Sequence, residues 1–209
     1  TTTLTSKAIE KQKWTNEKGF NYKHCADNYC GINGEFDSVI VLFDEFITDS
    51  SKVEEHIPNC ESIENIVMDL AKTKARDVAG RHTDKDIIIG ADTIVYLENE
   101  IIGKPKNASD AINMLKKLSN RTHIVYTGYA VFKDDKVITN VVESKVVFDD
   151  LSDEFIEAYV ATGSPLDKAG AYGVQDNETY KTVKEIIGSV KNVIGFPTDE
   201  IKETLKEFK

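Results

Sequence analysis

The 209 residues carry 36 acidic against 26 basic side chains, a net charge of −10, with 40% hydrophobic and 30% charged residues. This is the balance of a globular chain long enough to bury a sizeable core, and its sign weighs against a nucleic-acid backbone as partner. No apolar run approaches the roughly 20 residues of a membrane span, and Thr1–Lys7 has no signal-peptide apolar block, so no membrane partner and a cytoplasmic setting are expected. The odd set Cys25, Cys30 and Cys60 fits free thiols in a reducing compartment. With His24 and His56 it matches no common zinc spacing. A single phosphorylated ligand stays compatible with the charge, because a metal or a few lysines reverse the sign inside a pocket.

Residues 1–45 read as a separate, polar segment with weak periodicity, ending near a short apolar run, Ser38–Phe43, of strand type. Beyond it Ser62 is a candidate N-cap for a helix in which Ile63, Ile66, Val67, Leu70 and Ala71 recur at helical spacing, with Lys74 one turn further. Ile87-Ile88-Ile89 is a β-branched strand run, placing Asp92 just past the end of that strand. A hairpin follows through Tyr96-Leu97 and Ile101-Ile102, then Lys104 on a Gly/Pro turn. Ala108–Leu118 is an amphipathic helix with Ala111, Ile112, Met114, Leu115 and Leu118 on one stripe. Thr122–Phe132 and Lys136–Phe148 are strands about an Asp134-Asp135 turn. A third helix begins at 151–154 with Phe155, Ile156 and Tyr159 inward. Residues 167–175 are rich in small residues and irregular. Strands at Thr179–Ile187 and Lys191–Ile194 precede a last helix after Pro197. The pattern is mixed α/β: a twisted sheet with long antiparallel pairs and flanking helices.

Two places concentrate chemistry. In Gly90-Ala91-Asp92-Thr93 and Gly103-Lys104-Pro105 a carboxylate and an ammonium arrive on separate turns, which suits a metal and an anionic substrate, although an aspartate after a strand is also a common turn former or cap. In Asp167-Lys168-Ala169-Gly170-Ala171-Tyr172-Gly173-Val174-Gln175 small residues permit close backbone approach, Lys168 is a point charge suited to phosphate, and Gln175 offers a donor and an acceptor.

Taken together with Thr127-Gly128, Glu143–Phe148 and Asn192-Val193-Ile194-Gly195-Phe196-Pro197, these segments stand in the order found in the Maf-like nucleotide pyrophosphatases, which the chain resembles over about residues 46–205. The resemblance implies an inosine triphosphate pyrophosphatase-like fold over 46–209. It also implies hydrolysis of nucleoside triphosphates to monophosphate and pyrophosphate with Mg²⁺ (or Mn²⁺), and a homodimer. The Lys-Ala-Gly-Ala-Tyr-Gly and Gln subgroup is associated with dTTP and UTP. By the same resemblance Asp92 and Glu55 hold the metal, Lys74 and Lys104 meet phosphate, and Thr93, Lys168 and Gln175 meet the nucleotide. For the acidic pair at the family's strand end, Glu54-Glu55 compete with Asp44-Glu45; the shorter insertion favours Glu55. The chain departs from the family at its start, having no Ser-x-Ser-Pro-Arg-Arg segment, and Ser164 stands where many members have glutamate. A catalytically weak nucleotide-binding homologue is therefore the alternative expectation.

Overall fold

In a computed structural model the protein is described over residues 24–27, 47–53, 62–82 and 87–208. The expected strand at 38–43, both acidic pairs Glu54-Glu55 and Asp44-Glu45, and Cys30 and Cys60 lie outside the described residues.

One twisted sheet organises the chain. Its strands are β1 (His24–Asp27), β2 (Ile47–Ser50), β3 (Ile88–Leu97), β4 (Glu100–Ile102), β5 (Thr122–Lys133), β6 (Lys136–Phe148) and β7 (Val183–Ile187). They lie in the order β2-β1-β3-β5-β6-β7, with β4 added to β3. β1 runs parallel to β2 and β3, so the polar N-terminal segment contributes a strand to the sheet. β3 to β7 pair antiparallel. Glu98 and Asn99 take positive φ, 48° and 68°, at the β3–β4 hairpin, the backbone sense that matches strand twist.

The helices are α1 (Ile63–Ala79), α2 (Ala108–Leu118), α3 (Asp153–Ala161), α4 (Val190–Ile194) and α5 (Thr198–Leu205). Ser62, Asn107 and Ser152 cap the first three, each side chain accepting a backbone N–H three residues on, which satisfies donors the helix leaves unpaired. α1 covers one face of the sheet with Val67, Ala71, Ala75 and Val78, all fully buried. On the opposite face β3 and β5 meet two apolar groups. Val95, Leu97 and Val125 pack with α2 and α3 through Leu115, Leu118, Ile156 and Tyr159. Ile87, Ile89, Ala91, Tyr129 and Val131 pack with Phe196, Ile201 and Leu205. Among the described residues no helix is long and apolar enough to cross a membrane.

Three expectations are corrected. β3 does not end at Ile89 but runs to Leu97, so Asp92 lies in mid-strand. Gly90 and Asp92 are poor strand formers, yet nine successive pairs with β5, Ile88↔Phe132 to Tyr96↔Ile124, override local propensity. The segment 191–194 is not a strand but part of α4. Ser189 accepts from Asn192 N at 3.2 Å, and Gly195, at φ 108°, closes the helix in the left-handed region. The strand placed at 179–187 begins at Val183, after a 3₁₀ turn over Val174–Glu178.

Candidate active site

The sheet opens at β3. On the edge away from β5, β1 pairs only as far as Ala26↔Gly90, and β4 only from Val95↔Ile102. Among the described residues Ala91 to Ile94 thus have a strand neighbour on one side alone. β1 and β2 run parallel to β3 and β4 runs against it, so the carboxyl ends of all three converge on this gap. Such a divergence beside strand ends is where open α/β sheets bind ligands. Gly103 and Lys104 leave β4 there, and Lys104 is exposed.

Asp92 is placed in the gap by the packing of α1. A Cβ at Gly128, the β5 residue opposite Asp92, would fall 2.4 Å from the Val67 carbonyl oxygen. One at Gly90 would fall 2.7 Å from the Ala71 carbonyl oxygen and 2.8 Å from Ala75 Cβ. Both glycines admit the helix backbone directly onto the sheet. Gly90 and Asp92 share the α1 face by the two-residue strand period. The helix so seated carries Lys74 onto the Asp92 carboxylate, where Nζ donates to Oδ1. The side chains are 4% and 13% exposed, which makes this a nearly dry ion pair, and lysine is seldom buried without one.

Thr93 points to the other face. Its hydroxyl lies 2.9 Å from that of Thr127. Thr127 in turn donates to the Asn192 carbonyl at 2.8 Å, so Thr93 is the donor of the first bond. Asn192, fully buried, donates through Nδ2 to the Val125 carbonyl at 3.1 Å and to Ser144 Oγ at 2.9 Å. This polar chain crosses between the two apolar groups and fixes α4 to β5 and β6.

The glycine-rich loop docks beside β4. Gly170 N donates to the Gly103 carbonyl at 3.0 Å, tying the segment that holds Lys168 to the turn that holds Lys104. Gly170 takes φ 72°, and a Cβ there would also press on Val95. Lys168 Nζ is turned into its own loop, donating to Ser164 O at 2.6 Å, Ser164 Oγ at 3.0 Å and Asp167 Oδ1 at 3.3 Å. Gln175 is exposed two residues past Gly173. Tyr172 turns inward, its hydroxyl 2.7 Å from His123 Nε2. Burial holds His123 down to about 4, as a neutral imidazole.

The structure therefore brings Asp92 and Lys74 into contact and sets Thr93 on the adjoining residue of the opposite face. It links the Lys104 turn to the Lys168 loop by one backbone hydrogen bond, and leaves Glu55 outside the described residues. Arg81 is engaged by Asp49 and Asp77, each at 3.1 Å, a clamp that ties β2 to α1, and Arg121 pairs with Glu98 at 3.3 Å. Sequence reasoning missed the group around Asp176, which joins Tyr159, Ser164 and Lys168. Asp176 immediately follows the motif's last residue, and Tyr159 reads only as a core aromatic.

Comparison with known proteins identifies the family. The family model described as Maf-like protein matches residues 38–208. The dTTP/UTP pyrophosphatase of Geotalea uraniireducens (strain Rf4) is 47% identical over 164 residues, covering 78% of this chain and 84% of that one. The dTTP/UTP pyrophosphatase of Bacillus cereus (strain AH820) is 45% identical over 158 residues, covering 76% and 82%. Among solved structures the Staphylococcus aureus Ham1 protein aligns with TM-score 0.45 and 17% identity, covering 90% of this chain and 100% of that one. The chain belongs to the Maf-like family.

Proposed function

We propose that this protein is a nucleoside triphosphate pyrophosphatase acting on dTTP and UTP or modified pyrimidine nucleotides. The observation that carries the reading is the Lys74–Asp92 pair in the gap of the sheet, with Lys104 leaving beside it. Water attacks the α-phosphorus, the bond from that phosphorus to the α,β-bridging oxygen breaks, and pyrophosphate departs. Asp92 orients the water and accepts its proton. Lys74 holds the Asp92 carboxylate in place and, with Lys104, sets positive charge against the charge that develops on the phosphoryl oxygens. Thr93 and its polar chain fix the strand from behind. Gln175 reads an edge of the base through its paired donor and acceptor, with the Lys168 charge beside it.

Among the described residues no group of three or more His, Cys, Asp or Glu side chains is arranged to hold an ion. One carboxylate, Asp92, suits Mg²⁺ (or Mn²⁺), which keeps several waters and takes one or two carboxylates together with substrate phosphates; Glu55 is the second candidate ligand. Bound there, the metal would offset charge on the triphosphate. A cytoplasmic setting and a homodimer belong to the same reading.

The test is pyrophosphate release from a panel of nucleoside triphosphates with Mg²⁺, comparing the native chain with Asp92→Asn. Asparagine keeps the size and removes the charge and the base. It also breaks a nearly dry ion pair with Lys74, a loss of about 3 kcal/mol in stability, so turnover is compared per folded molecule at low temperature. The variant should show no pyrophosphate release above background. Turnover equal to native would remove Asp92 from the chemistry, and a native chain that binds nucleotides without releasing pyrophosphate would identify a binding homologue instead.

A further inference from the structure

Asp176, which the proposed mechanism does not use, stands at the centre of a hydrogen-bonded group. Its Oδ2 accepts from Tyr159 at 2.6 Å and from Ser164 Oγ at 2.7 Å, and lies 3.9 Å from Lys168 Nζ. Tyr159 is fully buried. Burial, with the hydrogen bond to Asp176, pushes its hydroxyl far up, so it stays a donor. The same hydroxyl accepts from Gly173 N at 3.2 Å. Ser164 spends its proton on Asp176 and can therefore only accept from Lys168. The three N–H groups of the Lys168 ammonium go to Ser164 O, Ser164 Oγ and Asp167 Oδ1.

These bonds converge on one point of the loop. A Cβ at Gly173 would sit 2.8 Å from Lys168 Cε, 2.9 Å from Lys168 Cδ and 3.0 Å from Gln175 Oε1. The lysine stem and the glutamine amide thus crowd the same glycine, whose own N–H is held by Tyr159. Asp176 follows Gln175 in the chain, and its N–H donates to the Gly173 carbonyl at 3.0 Å while its carbonyl accepts from Tyr180 N at 2.7 Å. Backbone and side chain of Asp176 together fix the turn that presents Gln175. Asp176 also supplies the second carboxylate facing the Lys168 ammonium, through a serine at position 164.

We propose that Asp176 is a positioning residue for pyrimidine selection: through Tyr159, Ser164 and Lys168 it holds the Gln175 amide in the orientation that distinguishes a uracil or thymine edge from a cytosine edge. Uracil and thymine present a ring N–H donor between two carbonyl acceptors, whereas cytosine presents an acceptor nitrogen beside an amino donor. An amide held in one orientation matches one pattern and leaves a polar group unpaired against the other. Freed to rotate, the amide can serve both. The inference rests on the pyrophosphatase reading and adds to it how the base is read.

The experiment measures kcat and KM for UTP, dTTP and CTP in the native protein, Asp176→Asn and Ser164→Ala, with melting temperatures alongside. Native protein should prefer UTP and dTTP. Asp176→Asn should lower the UTP:CTP ratio of kcat/KM by about tenfold, mostly through KM for UTP, with a much smaller change in kcat. Ser164→Ala should move the ratio in the same direction, and the double variant should lose less than the sum, since both act in one chain of bonds. An active enzyme whose UTP:CTP ratio is unchanged in both variants overturns the inference, even if melting falls, because a purely structural role moves stability alone. A native protein that releases pyrophosphate from none of the nucleotides overturns the functional reading, and this inference with it.

Discussion

Replacing Gly128 by alanine tests the link between packing and chemistry. The added methyl would sit 2.4 Å from the Val67 carbonyl oxygen, 2.5 Å from its carbon and 2.7 Å from Met68 N. All three are helix backbone, so no side chain can rotate away. Reaching ordinary contact requires α1 to retreat by about 1 Å from the sheet. Overpacking of this kind costs about 1–3 kcal/mol, which in a domain of this size lowers Tm by about 2–12 °C. The retreat also draws Lys74 off Asp92, and a displacement of about 1 Å at a reacting group costs on the order of a hundredfold in rate. Differential scanning calorimetry and pyrophosphate release would be run together. Gly103→Ala serves as the stability control, because a Cβ there meets nothing within 4 Å. Native melting and native kcat/KM in Gly128→Ala would refute the close seating of α1. A lowered Tm with native kcat/KM per folded molecule would refute the claim that this seating aligns the Lys74–Asp92 pair.

Two further outcomes concern stability. His123 is buried and neutral, with a folded value of about 4 against 6.5 for the free side chain. Between those limits the unfolded chain takes up a proton that the folded chain refuses, so stability is fully present above pH 6.5 and falls as the pH drops toward 4. The loss amounts to about 3 kcal/mol. Urea titrations across that range should show it, and His123→Gln, which can still hydrogen-bond Tyr172, should flatten that part of the profile; an equally steep fall in the variant would assign it to other groups. Thr127→Val keeps the shape of a residue that is fully buried but strands the Thr93 hydroxyl and the Asn192 carbonyl. It should cost about 1–3 kcal/mol in urea unfolding, and a change within error would show that these groups find other partners.

What the sequence determined by itself is whatever depends on near neighbours. Helical spacing located α1, α2 and α3, with Ser62 read as the cap of the first, because a cap and its amide lie three residues apart. The long hairpin of β5 and β6 was legible as two strand runs about the Asp134-Asp135 turn. The motifs singled out Asp92 with Lys104, and separately the Lys168 loop. Tertiary structure alone decided the extent of β3, since Gly90 and Asp92 become strand only when β5 supplies their hydrogen bonds. It alone decided that 190–194 is a helix, where Asn192 is held by groups 67 and 48 residues away. It also set the partners of the charged groups: Lys74 meets Asp92 across 18 residues, and Asp176 receives Tyr159 across 17. An ammonium or a carboxylate in a sequence is a bare charge. Which one it faces, and how dry the contact is, follows from how closely two elements approach, and here two glycines set that distance for α1.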